Sequence, residues 1–570
     1  MAQHRRPDAE ALLAQAKAGA PGAALAARRA AILAERGAAS QDLAREALAL
    51  AARLEPLDPA PRLALARLHA EAGDLAGARA EASAVLADAV DQAARARAAF
   101  MLGEIARFDG ETGSARVAYD AVLRIEDSLL AINRNDPHAA RWYARARGRI
   151  AELDASAGEH GRARTGAEGA LAMLRAAAAQ IGEPPVLAAD IADAEMRLAA
   201  LELDSEQPAS ARRRLGEAIG RFEALAVTEK DEPHWRAVLA DAWALAAEAD
   251  YARGAAEPAR EAMDKALQAR LRLAARHSQE AWALAGTWRL RGALRAALGD
   301  AQAAADSFTQ ARALAEKLCQ HAAGAEAPAR FLVHTLLDQA DHGLRTGELN
   351  IAHDAADCAR AITESFARGA GPGWFGETAA CWDRLGELAR ASGAPAQARD
   401  AFARGVEFRR RAHDSAPDTL SCTRGLAAAL VKFGETALDS GANEHARAAF
   451  DESVVLRLQL AEAALGDASA AHALAAALER SGLAAQAMGD SAAARAAWED
   501  ELALAIRIFA DGEALDAIRF RAIVESHLAS AGGAHAETHR QSSLARFDTL
   551  AKAGALTERE GALRKKLWGR

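Results

Sequence analysis

No stretch of this chain alternates β-branched with polar residues for long enough to read as a strand, which excludes a sheet as its organising element. Aromatic residues are scarce at 5%, and alanine dominates an apolar fraction of 51%. Alanine is the best helix former, and its small side chain lets neighbouring helices approach closely, so an all-helical chain follows. Prolines number 15 in 570 residues and fall mostly between helical segments. Cysteine is almost absent too: Cys319, Cys358, Cys381 and Cys422 stand 39, 23 and 41 residues apart. Without a CxxC pair a zinc site has no local support, and each cysteine reads as a small buried hydrophobe. There is no basic excess either. Seventy Lys and Arg against 79 Asp and Glu leave a formal charge of −9, which argues against a phosphate-tracking nucleic-acid binder. No uncharged window approaches the roughly 20 residues that span a bilayer, and no apolar run follows the basic start Met1–Arg6. The expectation is a soluble cytoplasmic protein.

What the chain does have is a beat. Glycine recurs at Gly73, Gly110, Gly158, Gly254, Gly299, Gly347, Gly393, Gly441 and Gly489, with Glu206 filling the one vacancy. An alanine follows each anchor five residues later, from Ala78 and Ala115 through Ala163, Ala211, Ala259, Ala304, Ala352, Ala398 and Ala446 to Ala494. Most steps are 48 residues. Such regularity means one small unit stacked many times, which overrides the usual inference of several globular domains from length.

One unit can be read from Cys381 to Phe408. Trp382, Leu385, Gly386 and Ala389 share the i, i+3, i+4, i+7 face of a first helix. Gly393 suits the left-handed cap that ends it, and Pro395 suits the first turn of the next helix. Ala398 and Phe402 then share a face of that second helix. Seven residues before the anchors stand Gly103, Gly292, Gly386, Gly434 and Gly482; nine after stand Tyr119, Phe308, Phe402, Phe450 and Trp498. Small residues mark crossings and large ones fill space. Punctuation between units falls in phase, at Gly182–Pro185, Pro233, His277-Ser278, Gly371-Pro372, Pro417, Gly466-Asp467 and Asp511-Gly512.

The pattern Trp382-x2-Leu385-Gly386 followed by Ala398-x3-Phe402 resembles the tetratricopeptide repeat family. Leu57-Asp58-Pro59 with Leu65, Gly73-Asp74 and Ala78 resembles its ordinary short form. The 48-residue step is similar to the lengthened variant of kinesin light chains and of some bacterial signalling proteins. The resemblance implies a right-handed α-solenoid of about ten to eleven antiparallel hairpins, with first helices lining the concave face. Lengthened helices should make hairpins about 30 Å tall at 1.5 Å per residue. The expected division is residues 1–39 as an N-terminal cap, 40–510 as the array, and 511–570 as a C-terminal cap. Within these caps, 7–36, 513–531 and 534–554 read as short helices, and the Arg564–Trp568 tip as frayed.

No nucleotide loop, zincin helix, nucleophile elbow or kinase signature occurs. No catalytic residue, cofactor or metal site is therefore assigned. The Gly369–Gly373 cluster reads as an interhelical loop, and Cys358 with His353 shares no face. His334, His342 and His353 with Asp338 and Asp341 could hold a metal but are better explained as ordinary surface histidines on a polar helix. Arg212–Arg214 and Arg409–Arg411 read as solvated faces with acidic neighbours.

One surface row stands out. Six residues before the anchors come Glu104, Glu152, Glu248, Asp341, Glu387 and Glu435. By analogy with the family the row points to the concave face, where it could focus negative potential on a basic peptide. The plainer reading is that these acids pair with arginines of the next unit or simply solvate the helix. Phe100, Phe108 and Tyr251 occupy inward registers and are expected to be exposed there. The chain is thus expected to be a non-enzymatic scaffold for a protein or extended peptide. The alternative is a regulatory arm that binds and controls a partner kinase or protease. Neither nucleic acid nor membrane is expected as a partner.

Overall fold

The structure, a computed structural model, describes residues 2–18, 22–35, 41–72, 74–134, 136–229, 233–277, 280–369, 371–417, 419–463, 468–508 and 514–569. These residues form 26 α-helices and no strand. Gly73, Ser278, Gly466, Asp467, Asp511 and Gly512, named above as anchor and punctuation, lie outside the described residues. The chain divides into two compact units, Met1–Glu280 and Ala281–Arg570.

The first unit opens with α1 (Ala2–Lys17), α2 (Ala23–Glu35) and α3 (Gln41–Leu54). Five hairpins follow: α4 (Pro59–Glu71) with α5 (Leu75–Asp88), α6 (Gln92–Phe108) with α7 (Thr112–Ile132), α8 (Pro137–Ser156) with α9 (His160–Ile181), α10 (Pro185–Asp204) with α11 (Pro208–Thr228), and α12 (Pro233–Ala252) with α13 (Ala256–Ala274). The second unit holds six: α14 (Ala281–Ala297) with α15 (Ala301–His321), α16 (Glu326–Thr346) with α17 (Leu349–Gly369), α18 (Phe375–Ala391) with α19 (Pro395–Ser415), α20 (Leu420–Asp439) with α21 (Asn443–Ala463), α22 (Ala468–Ala487) with α23 (Ser491–Ile508), and α24 (Leu515–Ala531) with α25 (Ala536–Lys552). A last helix, α26 (Glu558–Trp568), closes it. Helix α4 has 13 residues and α9 has 22, so the short form does give way to the long one.

Local chemistry sets the helix ends. Asp58, Asp91 and Asp136 accept backbone N–H groups at the starts of α4, α6 and α8, meeting donors that a helix cannot satisfy internally. Proline occupies the first turn of α8, α10, α11 and α19, where its missing N–H costs nothing. At the other end, Gly393 is the C′ residue of α18. Gly393 N–H reaches the Arg390 carbonyl at 3.0 Å and Ala394 N–H reaches Ala389 at 2.9 Å, the two bonds of a Schellman cap.

Every described anchor glycine has positive φ, and Glu206, at φ 55°, is the one non-glycine among the described residues that does. It makes the same two bonds, Glu206 N–H to Leu203 and Gln207 N–H to Glu202. A left-handed conformation costs a non-glycine residue about 1–2 kcal/mol. Glu206→Gly should therefore stabilise the first unit by about 1 kcal/mol, after allowing for glycine's greater freedom when unfolded. A melting temperature at or below that of the wild type would show that Glu206 is not strained.

The alanines five residues past each anchor are all 0% exposed. Packing at the crossing follows a volume rule. Where the second helix carries Tyr119, Phe308, Phe402, Phe450 or Trp498, the first helix presents Gly103, Gly292, Gly386, Gly434 or Gly482. A Cβ built on those glycines would come within 2.3–2.8 Å of the facing ring. In the other registers the second helix carries Ala82, Ala167, Leu215, Met263 or Ala356, and the first presents Ala66, Ala151, Ala199, Ala247 or Ala340. A smaller filler leaves room for the extra methyl, so each crossing is filled to interior density in one of two ways.

Each helix packs chiefly on its neighbours in sequence, and the buried clusters draw on adjacent helices only. Next-but-one contacts follow a pattern: α6 touches α8, α8 touches α10, and α10 touches α12 in the first unit, as α14–α16, α16–α18 and α20–α22 do in the second. Among the described residues, second helices of consecutive hairpins make no contact of similar extent. First helices are thus the closer-spaced layer within each unit, and they line its tighter face.

One expectation needs revision. The Arg564–Trp568 tip is not frayed but belongs to α26, started by a reciprocal Thr557–Glu560 capping box and held by Leu567, which is 3% exposed. Between α17 and α18, the described residues Pro372–Trp374 form a 3-10 turn, in keeping with an interhelical connection, and it seats a fully buried Trp374 against Phe366.

Candidate functional site

The tighter face of the first helices carries the acidic row, and the structure assigns its members partners. Arg149 binds Glu104, with Nη2 donating to Oε2 at 3.0 Å. Arg197 Nε donates to Glu152 at 2.6 Å, Arg384 Nη2 to Asp341 at 3.0 Å, and Arg480 Nε to Glu435 at 2.5 Å. Lys432 Nζ lies 3.2 Å from Glu387. Each base sits nine residues before its own anchor, on the first helix of the following hairpin. Arg149 also holds Glu152 on its own helix at 3.0 Å, so Glu104, Arg149, Glu152 and Arg197 form a continuous ladder across α6, α8 and α10.

Burial alone would raise the Glu104 carboxyl. Arg149, the Tyr119 hydroxyl at 2.6 Å and Arg107 outweigh it and hold the group below its ordinary value. The Tyr119 phenol is pushed up by its burial and by Glu104. Glu248 differs from the other five. It is exposed and has no ion pair among the described residues, and partial desolvation with nearby Asp204 raises its carboxyl.

The aromatics separate. Phe108, at the end of α6, is 77% exposed and Tyr251, near the end of α12, is 42% exposed. Phe100 is buried rather than exposed: Tyr119 and Trp142 pack at 5.5 and 5.4 Å between ring centroids, and the Arg145 guanidinium lies 5.3 Å over its ring. Trp142, from the following hairpin, is what covers it. Two hairpins stand between α6 and α12, and Phe108 and Tyr251 do not meet.

The remaining clusters have ordinary partners. Arg212 pairs with Asp250, Arg214 with Glu202, Arg409 with Asp383 and Arg410 with Glu452; Arg411 lies 4.2 Å over the Phe375 ring. His342 is buried beside Phe308, its Nε2 3.0 Å from the Ala301 carbonyl, while Asp338 and Asp341 bind Arg289 and Arg384. Among the described residues no group of three or more His, Cys, Asp or Glu could hold a metal ion. All four cysteines are free, and burial pushes the Cys381 thiol up to about 12, far from a nucleophile's range. No described helix is long and apolar enough to cross a membrane.

The bases of the ladder went unread in the sequence, although the signal was present. An acid six before one anchor and a base nine before the next stand 45 residues apart at four of the five rungs.

No family model and no curated protein matches the chain. Among solved structures, the apo form of RapI is similar at 13% identity and a TM-score of 0.42, over 71% of this chain and 98% of that one. Yeast Tom70 is similar at 13% identity and a TM-score of 0.37, over 88% and 95%. A signal-transduction ATPase with a tetratricopeptide repeat sensor from Pyrococcus horikoshii is similar at 11% identity and a TM-score of 0.39, over 68% and 55%. By its own capped hairpins, glycine–aromatic crossings and nearest-neighbour packing, the chain is an all-helical array of tetratricopeptide-like repeats.

Proposed function

We propose that the chain is a non-enzymatic scaffold that binds a protein or extended peptide along the first-helix face. The observation that carries this reading is the packing pattern. Each unit builds its core between neighbouring hairpins and spends no residues on a central one, which leaves a long ordered face of first helices. With five acids of the row paired, that face offers alternating charge. A peptide of mixed charge complements it better than a purely basic one.

Capture from native lysate, read by mass spectrometry, tests the reading with two variants. Glu387→Lys/Glu435→Lys reverses the row but also breaks its rungs with Lys432 and Arg480, at an expected cost of about 1 kcal/mol. Adding Lys432→Glu and Arg480→Glu restores both rungs with the charges exchanged. Partner recovery should fall several-fold in both variants while circular dichroism keeps its helical signal. Wild-type recovery by the rung-restored variant would count against the first-helix face.

A further inference from the structure

Ten acidic side chains are buried among the described residues, and eight of them hold an arginine. Asp190 binds Arg141 at 2.6 Å, Glu195 binds Arg175 at 2.9 Å, and Asp250 binds Arg212 at 2.9 Å. Such pairing is what a buried carboxylate requires. Glu126 and Glu501 break the rule, and Glu126 breaks it completely. It is 1% exposed, and neither carboxylate oxygen has a hydrogen-bond partner.

Glu126 lines a cavity of about 470 Å³ between α6, α7 and α8, with Arg97, Leu129, Asp136, His138 and Trp142 around it. The charges there favour a cation. Asp91 and Asp136 both raise the Glu126 carboxyl, secondary to burial, while Arg97 alone opposes them, and the group stands at about 7. Asp91 and Asp136 each use Oδ1 to cap a helix, α6 and α8 respectively, so both carboxylates are fixed beside the cavity. Arg141, which also lines the cavity, is committed to Asp190. The acids are too dispersed to chelate a metal. An ammonium on a short alkyl stem suits the space better, because Leu129 and Trp142 provide an apolar wall beside the carboxylate.

We propose that this cavity is a binding site for a primary alkylammonium group, with Glu126 as its buried counter-ion and Asp136 at its flank. The group can come from a free amine or from a lysine side chain of a bound protein. The site does not depend on the scaffold reading, and it can be tested without a partner.

Isothermal titration of the full chain with n-butylammonium, with Nα-acetyl-lysine methylamide and with n-butanol separates the cases. Both cations should bind the wild type, and Glu126→Gln, close in shape to the native residue, should weaken them about tenfold or more. Tighter binding of the capped lysine identifies a protein side chain as the source; tighter binding of butylammonium identifies a free amine. Circular dichroism and melting of Glu126→Gln establish that the fold persists. A Glu126→Lys variant, whose own ammonium would occupy the cavity, should refuse both cations. The proposal is overturned if n-butanol binds as well as n-butylammonium, if Glu126→Gln binds the cations undiminished, or if neither cation binds.

Discussion

Replacing Trp498 by alanine is expected to destabilise the second unit by about 3–5 kcal/mol. The indole is 0% exposed, donates to the Glu479 carbonyl at 3.3 Å and lies 5.1 Å from the His527 ring. Its removal leaves a cavity, while the Glu479 carbonyl, inside α22, keeps its helical bond. The glycine opposite gives the converse test. A Cβ on Gly482 would lie 2.3 Å from the indole nitrogen, so Gly482→Ala should cost about 1–3 kcal/mol despite alanine's better helix propensity. If the volume rule holds, Gly482→Ala combined with Trp498→Met should cost less than the two singles added, by about 1 kcal/mol. Denaturant unfolding of the wild type, Gly482→Ala, Trp498→Met and their combination reads this cycle. Strict additivity would show that the glycine–aromatic exchange is coincidental.

The second large effect depends on pH. Burial, with Glu479 nearby, pushes the Glu501 carboxyl up to about 9, against an ordinary value of 4.5. The folded state therefore holds this proton more tightly than the unfolded one. The resulting cost is absent below about pH 4.5, grows as pH rises, and is complete only above about 9. Glu501→Gln should gain nothing at pH 4 and about 3 kcal/mol at pH 9. His527 acts at the other end. Burial first, then Arg559 and Lys566, lowers its imidazole to about 4. A depressed histidine costs stability as pH falls from 6.5 through 4, because the unfolded chain binds the proton more readily. Melting curves of the wild type and Glu501→Gln across this range should diverge steadily on the alkaline side. Parallel curves would mean that Glu501 ionises at an ordinary pH.

The features most legible in the sequence are those where one backbone conformation admits few residues. Left-handed caps favour glycine, so the anchors marked the turns of the ten hairpins from α4 to α23, and Glu206 was visible as an exception before its φ was known; the turn between α24 and α25 carries no anchor. The crossings were legible for a related reason, since a residue without a side chain seven before the anchor has few uses other than close approach. Pairings between hairpins were harder. The acids of the row were plain, but Arg149 or Arg480 acquires meaning only once the next first helix is laid alongside. Phe100 was misjudged for the same reason: its register points inward, and only Trp142 from the following hairpin buries it. For α26 the cue was local and was passed over, because Thr557-x-x-Glu560 is a capping box written in the sequence. The Glu126 cavity had no such cue. Its lining joins Arg97, Glu126, His138 and Trp142 from three helices, and only their packing brings these residues together.

The polarity of the ladder bears on how such a chain can change length. Residues 137–184 span one hairpin from the start of α8 to the start of α10 and carry a base, Arg149, on one flank and an acid, Glu152, on the other. An in-frame duplication of that segment would set the copied Arg149 against the original Glu152 and the copied Glu152 against Arg197, so no charge would be stranded. The hairpin of α14 and α15 carries Leu290 and Ala293 at the equivalent positions and would interrupt such a series wherever it was inserted. Recombination could thus lengthen or shorten the charged runs freely, while hairpins of the second kind fix where each run stops.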